Sequence, residues 1–213
     1  MALSFIITSF VTLFVIIEPI GITPLFIALT PGMSVQKRRR IGVHACLVAI
    51  GLLTTFGLLG EALLNFVGIS MSAFRISGGI LLFLTALDML FERRTPRREG
   101  QVAHEDDDHD PSVFPLAMPL LAGPGAMTSM ILLVGQAREG AAGSVWQGVV
   151  EVHVVMVAVV GCAFLLFQVA APLDRALGKT GNNVITRLLG MLLAGLSVQF
   201  VIDGVKASGL LHG

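Results

Sequence analysis

The chain has 213 residues, of which 54% are hydrophobic and 13% are charged, and its formal net charge is zero. Soluble domains carry about 25% charged residues, so this composition excludes an ordinary soluble protein and indicates an integral membrane protein whose partner is the lipid bilayer. The balanced charge predicts no nucleic-acid partner, and two cysteines within apolar runs do not make a disulfide framework.

Three apolar runs in the first half are long enough to cross the hydrocarbon core, which takes about 20 residues. We expect spans at 3–29, 41–66 and 75–91, the first of them uncleaved because no Lys or Arg precedes it. A loop is predicted over 30–40, ending in the basic run Lys37 to Arg40. Gly78 and Gly79 predict a close helix approach in the third span, and Glu61 is expected near Arg75.

The first span contains a stretch that an apolar helix does not tolerate without a reason. Glu18 is the only charged residue between Phe5 and Gln36, and Pro19 and Pro24 follow it. A buried acid and two prolines each cost several kcal/mol in a membrane helix, unless the freed backbone is buried in protein or lines a watery cavity. The stretch is therefore a candidate binding site, comprising Glu18, Pro19, Gly21, Ile22, Thr23 and Pro24.

Residues 92–112 form the one long polar segment, and we interpret it as a cytoplasmic linker between two halves. His104, His109 and the neighbouring acids could be drawn as a metal site. Their spacing fixes no coordination geometry, so a solvated linker is favoured and neither a metal nor a cofactor is predicted.

The second half again predicts three spans, at 113–134, 145–171 and 184–205. The first of these has no charge but contains three prolines and a cluster of small residues, so it is predicted to be a second broken helix. Gly190 and Ala194 make a small-residue face on the last span. The second set of candidate site residues comprises Pro119, Gly123, Pro124, Gly125, Ala126 and Thr128.

The two halves, 1–91 and 113–213, follow the same plan. The predicted fold is an all-α integral membrane protein with six transmembrane helices, arranged as two inverted three-helix repeats in which Pro and Gly break the first helix of each. Broken helices at matching positions of inverted halves indicate a transporter's substrate site. Most Lys and Arg residues fall on one side, which predicts a cytoplasmic linker and two periplasmic termini. Either broken segment could instead be a re-entrant hairpin.

Several stretches resemble the MarC family of membrane proteins. They are EPIGITPLF (18–26), FRISGGILLF (74–83), PLAMPLLAGPGAMT (115–128), NVITR (183–187) and the closing helix over 198–204. The resemblance implies a bacterial or archaeal inner-membrane protein with six spans. Some members of the family are associated with transport of alanine, glycine and serine, which implies a small-molecule substrate and a coupling ion, Na⁺ or H⁺. The family usually has Asp and Asn where this chain has Glu18 and Ile22, so a side-chain amide is lost.

In the transport hypothesis, two restarting helices would hold the substrate carboxylate, since a helix N-terminus binds anions. Free N–H groups are expected at Ile22 and Thr23 after the first break, and at Gly125, Ala126 and Met127 after the second. Thr23, Thr128 and Ser129 would add hydroxyl contacts, and Gly21, Gly123 and Gly125 would leave space for the ligand.

Glu18 would then face the substrate ammonium or the coupling cation, with a purely structural role as the alternative. Other classes stay open: an exporter of small metabolites, a channel, or a lipid-handling protein. No enzyme is predicted, because the spans offer neither a nucleophile–base pair nor a metal set. The oligomeric state is left open.

Overall fold

The computed structural model describes residues 3–92, 111–139 and 145–209, and every regular element within them is helical. The elements are α1 (Leu3–Ile17), α2 (Pro19–Leu29), α3 (Val35–Val67), α4 (Met71–Leu90), α5 (Ser112–Leu121), α6 (Pro124–Glu139), α7 (Val145–Gln168) and α8 (Ala170–Ala207).

The predicted all-helical membrane fold is confirmed in its coarse form. By length and composition, Leu3–Leu29 (α1 with α2), α3, α4, α7 and α8 can each cross a membrane. The helices α5 and α6 are bent by 56° relative to each other and pass the same test only together, so the described residues hold five candidate spans, or six if this pair is a single span. That the two halves are inverted copies remains a prediction, and most of the predicted linker, with both of its histidines, lies outside the described residues.

The two broken spans occupy the centre of the bundle. In α6, nearly every residue from Ala126 to Ala137 is buried, and in the second half of α1 every residue except Val11 and Phe14 is buried. The helices α3, α4, α7 and α8 bury only one face each and leave large apolar side chains exposed on the other. A helix that is apolar all round belongs in the interior, so α1 and α6 form the core and the other spans surround them.

The helices α4 and α8 pack against each other at glycines. A Cβ atom on Gly79 would lie 2.8 Å from the backbone carbonyl oxygen of Ser197, and one on Gly190 would lie 3.2 Å from that of Ala86. Missing side chains allow the two backbones this approach. The close contacts predicted for Gly79 and Gly190 are therefore confirmed. The close approach predicted for Gly78 is confirmed as well, but with α6, where a Cβ atom would lie 2.8 Å from the Thr128 side chain.

The predicted loop over 30–40 is wrong in its second half. Ser34 caps α3 by accepting a hydrogen bond from the N–H of Lys37 at 3.3 Å, so the basic run forms the first turns of the helix. Ser is among the preferred N-cap residues, and Lys and Arg are good helix formers. The loop therefore shrinks to residues 30–34.

The last span begins earlier than predicted, at Ala170 rather than Val184, and bends at Gly178, where φ is 58° and ψ is −178°. Its 38 residues would measure about 57 Å if straight, nearly twice the hydrocarbon thickness of about 30 Å. We therefore expect the part before Gly178 to follow the membrane surface.

Ion pairs join the ends of the spans. Arg75 is buried and donates to Glu139 at 2.8 Å, Arg138 pairs with Glu61, and Arg187 lies 2.7 Å from Glu92. Glu61 and Arg75, which were expected to lie near each other, thus pair with the adjacent residues Arg138 and Glu139 of α6. Glu61 and Arg75 have these partners because α6 packs against both α3 and α4, so its charged C-terminal end contacts both helices.

Candidate functional site

The first break lies at Glu18 itself. Its backbone is left-handed, with φ 58° and ψ 57°, a conformation that costs a residue other than glycine roughly 1–2 kcal/mol. The N–H of Glu18 donates to the carbonyl of Phe14 at 2.9 Å, and the N–H of Ile22 donates to the carbonyl of Glu18 at 3.1 Å. Pro19 has no N–H to continue α1, so α1 ends and α2 begins at this one residue.

This placement corrects the predicted start of α2, the helix that follows the first break. The helix α2 runs from Pro19 through Pro24 to Leu29, so it does not restart after Pro24. The N–H of Ile22 is bonded, and the hydroxyl of Thr23 donates to the carbonyl of Pro19 at 3.0 Å. The N–H groups of the first turn, which lack acceptors within a helix, belong instead to Ile20 and Gly21.

The Glu18 side chain is 3% exposed and accepts a 2.7 Å hydrogen bond from the hydroxyl of Thr186, on α8. Gly21 gives it space, because a Cβ atom there would lie 2.7 Å from the Glu18 carboxyl carbon. The carboxyl group therefore lies over the first turn of α2, at the positive end of that helix. It also joins the first half of the chain to the second.

Asn182 lies one turn before Thr186 on α8, so the two side chains share a face. It is 9% exposed, and its Oδ1 has no hydrogen-bond partner among the described residues. Asn182 lines a narrow cleft between α2 and the bend of α8, to which Thr23 and Asp174 also contribute. The cleft has about 10 Å³ of water-sized space, room for about one water molecule.

Thr186 and Asn182 were not among the residues that the sequence singled out for the site. The sequence did carry a signal for them, because polar residues four apart on a helix share one face. Thr186 lies within NVITR (183–187), one of the stretches that resemble the MarC family.

The second break is more extended than the first. In α5, N–H groups reach back five residues, from Leu116 to Pro111 and from Ala122 to Ala117, and Phe114 and Met118 are not helical. Each of these two residues precedes a proline, which disfavours the helical conformation before it. Loose winding and two prolines thus interrupt regular helix within α5, before α6 begins.

The helix α6 begins at Pro124, and the N–H of Met127 donates to the carbonyl of Gly123 at 3.0 Å. Of the three N–H groups predicted to be free, only those of Gly125 and Ala126 therefore belong to the open first turn. A Cβ atom on Gly125 would lie 2.9 Å from the Ile16 side chain. The structure thus brings the start of α6 against α1, two residues before Glu18.

The other predicted residues of the second break lie around it in different ways. Gly123 packs on the backbone of Pro119, where a Cβ atom would lie 2.5 Å from the carbonyl oxygen. Thr128 is buried against Gly78 of α4. Ser129 is completely buried, and its hydroxyl has no partner among the described residues. Gly125 is thus the member of this set that the structure brings against α1.

A larger groove of about 500 Å³ lies elsewhere, between α3 and α7. Its lining is apolar apart from Thr54 and His153, and it includes exposed valines of α7. His153 bonds the carbonyl of Val149 on its own helix at 2.7 Å. We interpret this groove as a lipid-facing surface, because an apolar outer face is what a membrane span presents to lipid.

Within the ranges that the structure describes, no three His, Cys, Asp or Glu side chains come together as a metal site would require. The described site is thus a buried carboxyl group, two helix N-termini and polar groups on α8.

Comparison with known proteins gives a consistent picture along the chain. The family described as "MarC family integral membrane protein" matches residues 3–208. A UPF0056 membrane protein of Archaeoglobus fulgidus is 39% identical over 211 residues, covering 95% of this chain and 93% of the relative.

The UPF0056 membrane protein YvbG of Bacillus subtilis is 34% identical over 97% of this chain and 96% of its own length. YhcE of Escherichia coli is 33% identical over 95% and 94%. No solved structure matches the chain.

Proposed function

Because the chain belongs to the MarC family of integral membrane proteins, we propose that it is a multi-pass transporter of a small neutral amino acid or a similar small solute, coupled to H⁺ or Na⁺. It has no enzymatic activity in this proposal. The observation that carries it is the buried Glu18 carboxyl, held at a helix break by a hydroxyl from the other half of the chain.

Burial of a carboxyl group among apolar helices is costly, and such residues mark ion and substrate pathways in membrane proteins. Glu18 binds the substrate ammonium or the coupling ion in this mechanism. The open first turns of α2 and α6 supply N–H groups and partial positive charge for a carboxylate. Their N–H groups belong to Ile20 and Gly21 on one side, and to Gly125 and Ala126 on the other.

The contact between Glu18 and Thr186 also gives the mechanism a movable part. The two residues are 168 positions apart, on spans from different halves. A rocking motion of one half against the other would break this bond and open the carboxyl to one membrane face. Substrate or ion then competes with the Thr186 hydroxyl for Glu18, and release restores the bond. The direction of net flux follows the gradients, so an exporter uses the same site.

We further propose that the protein resides in the inner membrane, with the linker in the cytoplasm and both termini outside, as the distribution of Lys and Arg favours. Reporter fusions at each terminus test this orientation. A cytoplasmic signal from either fusion would refute it.

The test of function is uptake of labelled alanine, glycine and serine by purified protein in liposomes, under imposed proton and Na⁺ gradients. Glu18→Gln keeps the size of the side chain and removes its charge, and Thr186→Val removes the hydroxyl. We expect Glu18→Gln to abolish concentrative uptake. Thr186→Val should lower it by up to about tenfold, since a hydrogen bond contributes roughly 0.5–1.5 kcal/mol.

Two matched controls separate the site from general effects of substitution. Glu61→Gln removes a carboxylate that pairs with Arg138 at a partly exposed position. Thr55→Val removes an exposed hydroxyl that bonds only its own helix, at the carbonyl of Gly51. Both should transport like the wild type. Uptake that survives Glu18→Gln would reduce that residue to a structural role, and no uptake from folded wild-type protein would exclude these substrates.

A further inference from the structure

Three hydroxyl groups in the core are turned away from the partner that helical Ser and Thr residues ordinarily use. Ser9 and Thr12 on α1 and Ser129 on α6 are all 0% exposed, and their oxygens have no partner among the described residues. Other hydroxyls in the chain bond their own helix, at the carbonyl four residues earlier: Thr23, Thr30, Thr55 and Thr85. The missing hydrogen bonds of Ser9, Thr12 and Ser129 therefore need another explanation.

The helix geometry places two of these hydroxyls opposite each other. Ile16 and Gly125 are in contact across the α1–α6 interface. From Gly125, which lies against the C-terminal end of α1, the helix α6 packs along α1 rather than along α2, so the two helices are antiparallel. Four residues back from Ile16 and four residues on from Gly125 therefore lead to the same level, about 6 Å away. A step of four residues also keeps the same helix face. Thr12 and Ser129 therefore face one another. Ser9 lies one turn before Thr12, so the three hydroxyls form a row.

The chemistry of the row selects its ligand. Buried polar groups are almost always hydrogen-bonded, and a group of exceptions points to water or an ion at the site. In each of these hydroxyls both the hydrogen and the lone pairs lack a partner among the described residues. A cation would satisfy the oxygens and leave the hydrogens unpaired, whereas water donates and accepts. Internal water also typically makes two to four hydrogen bonds to such groups.

The row points towards Glu18. Six residues separate Thr12 from Glu18, about 9 Å along a helix. Between them, the carbonyl of Val15 loses its usual donor because Pro19 has no N–H, which adds an acceptor on this path. We propose that Ser9, Thr12 and Ser129 hold a file of internal water that carries protons between the membrane face at which α1 begins and Glu18. This deepens, and rests on, the proposed transport function, with the proton as the coupling ion.

The water site itself is tested without transport, by a double-mutant cycle on the thermal midpoint of purified protein. The variants are Thr12→Val, Ser129→Ala and the pair, with Thr85→Val as control because its hydroxyl bonds the carbonyl of Leu81 on its own helix. If water bridges the hydroxyls, each single variant lowers the midpoint by roughly 2–4 °C. The double variant then falls by clearly less than the sum of the singles, because they share one bridge.

If the hydroxyls are dry, the single variants raise the midpoint, because each removes an unpaired buried polar group. That result, or additive losses in the double variant, overturns the water site.

The relay is tested by alanine-evoked proton flux, measured with a pH dye inside liposomes, beside alanine counterflow, which requires no net proton movement. Thr12→Val should lower the proton flux by about tenfold and leave counterflow within about twofold. An equal loss of both overturns the relay, and so does alanine uptake driven by Na⁺ alone. A wild type that moves no alanine refutes the proposed function with this substrate, and the relay with it, while the midpoint cycle still decides the water site.

Discussion

Gly79→Ala tests whether α4 and α8 form a rigid seam. The added Cβ atom would lie 2.8 Å from the carbonyl oxygen of Ser197 and 3.1 Å from the backbone nitrogen of Val201, and ordinary contact begins at 3.4 Å. Both neighbours are backbone atoms, so no rotamer change relieves the overlap. The helices would have to part by about 0.6 Å, and overpacking of this kind costs roughly 1–3 kcal/mol.

Gly195→Ala is the matched control, because Gly195 lies on α8 and a Cβ atom there would meet no described residue of another element within 4 Å. Alanine there gains up to about 1 kcal/mol in helix propensity, the same gain that Gly79→Ala receives. The difference between the two variants therefore isolates the packing cost.

Thermal unfolding in detergent, at one scan rate, measures that difference. We expect Gly79→Ala to unfold roughly 2–12 °C below Gly195→Ala, at about 2–4 °C per kcal/mol. Equal midpoints for the two variants would refute the seam, since they would mean that the backbones have room to separate at no cost.

Three further predictions concern the site, a buried charge and a bend. Gly21→Ala should displace the Glu18 carboxyl, which lies 2.7 Å from the new Cβ position, and lower alanine uptake at least about tenfold; unchanged uptake would contradict the placement of that side chain. Glu139→Gln leaves the buried Arg75 guanidinium without its 2.8 Å partner and should lower the thermal midpoint by several degrees, and combining it with Arg75→Met should recover most of the loss. Gly178→Ala places a Cβ atom at φ 58° and ψ −178°, a region nearly exclusive to glycine, and should cost roughly 1–3 kcal/mol by thermal unfolding; a neutral result would mean that the bend relaxes.

The spans and the position of the first break could be predicted from the sequence, because the length of an apolar run and an acid within it are local features. Glu18 and Pro19 disturb α1 wherever the rest of the chain lies, so the sequence predicts the break. It could not show that the helix resumes at once and runs through Pro24, because a left-handed residue can absorb the whole interruption.

The hydrogen-bond and ion-pair partners of these residues could not be predicted from the sequence, because they depend on packing between distant spans. Thr186 reaches Glu18 only when α8 lies beside the break. Glu61 and Arg75 likewise find Arg138 and Glu139 through the course of α6. The unpaired state of Thr12 and Ser129 depends on rotamers, which no sequence pattern specifies.

The hydrogen bond between Thr186 and Glu18 also bears on the order of synthesis. The span with the buried carboxyl leaves the ribosome before the hydroxyl that bonds it, which follows 168 residues later. The first span must therefore enter the bilayer with its acid uncompensated by Thr186, and the assembled bundle supplies that bond only at the end. The same contact that places Glu18 in the finished protein thus distinguishes complete chains from those that stop before α8.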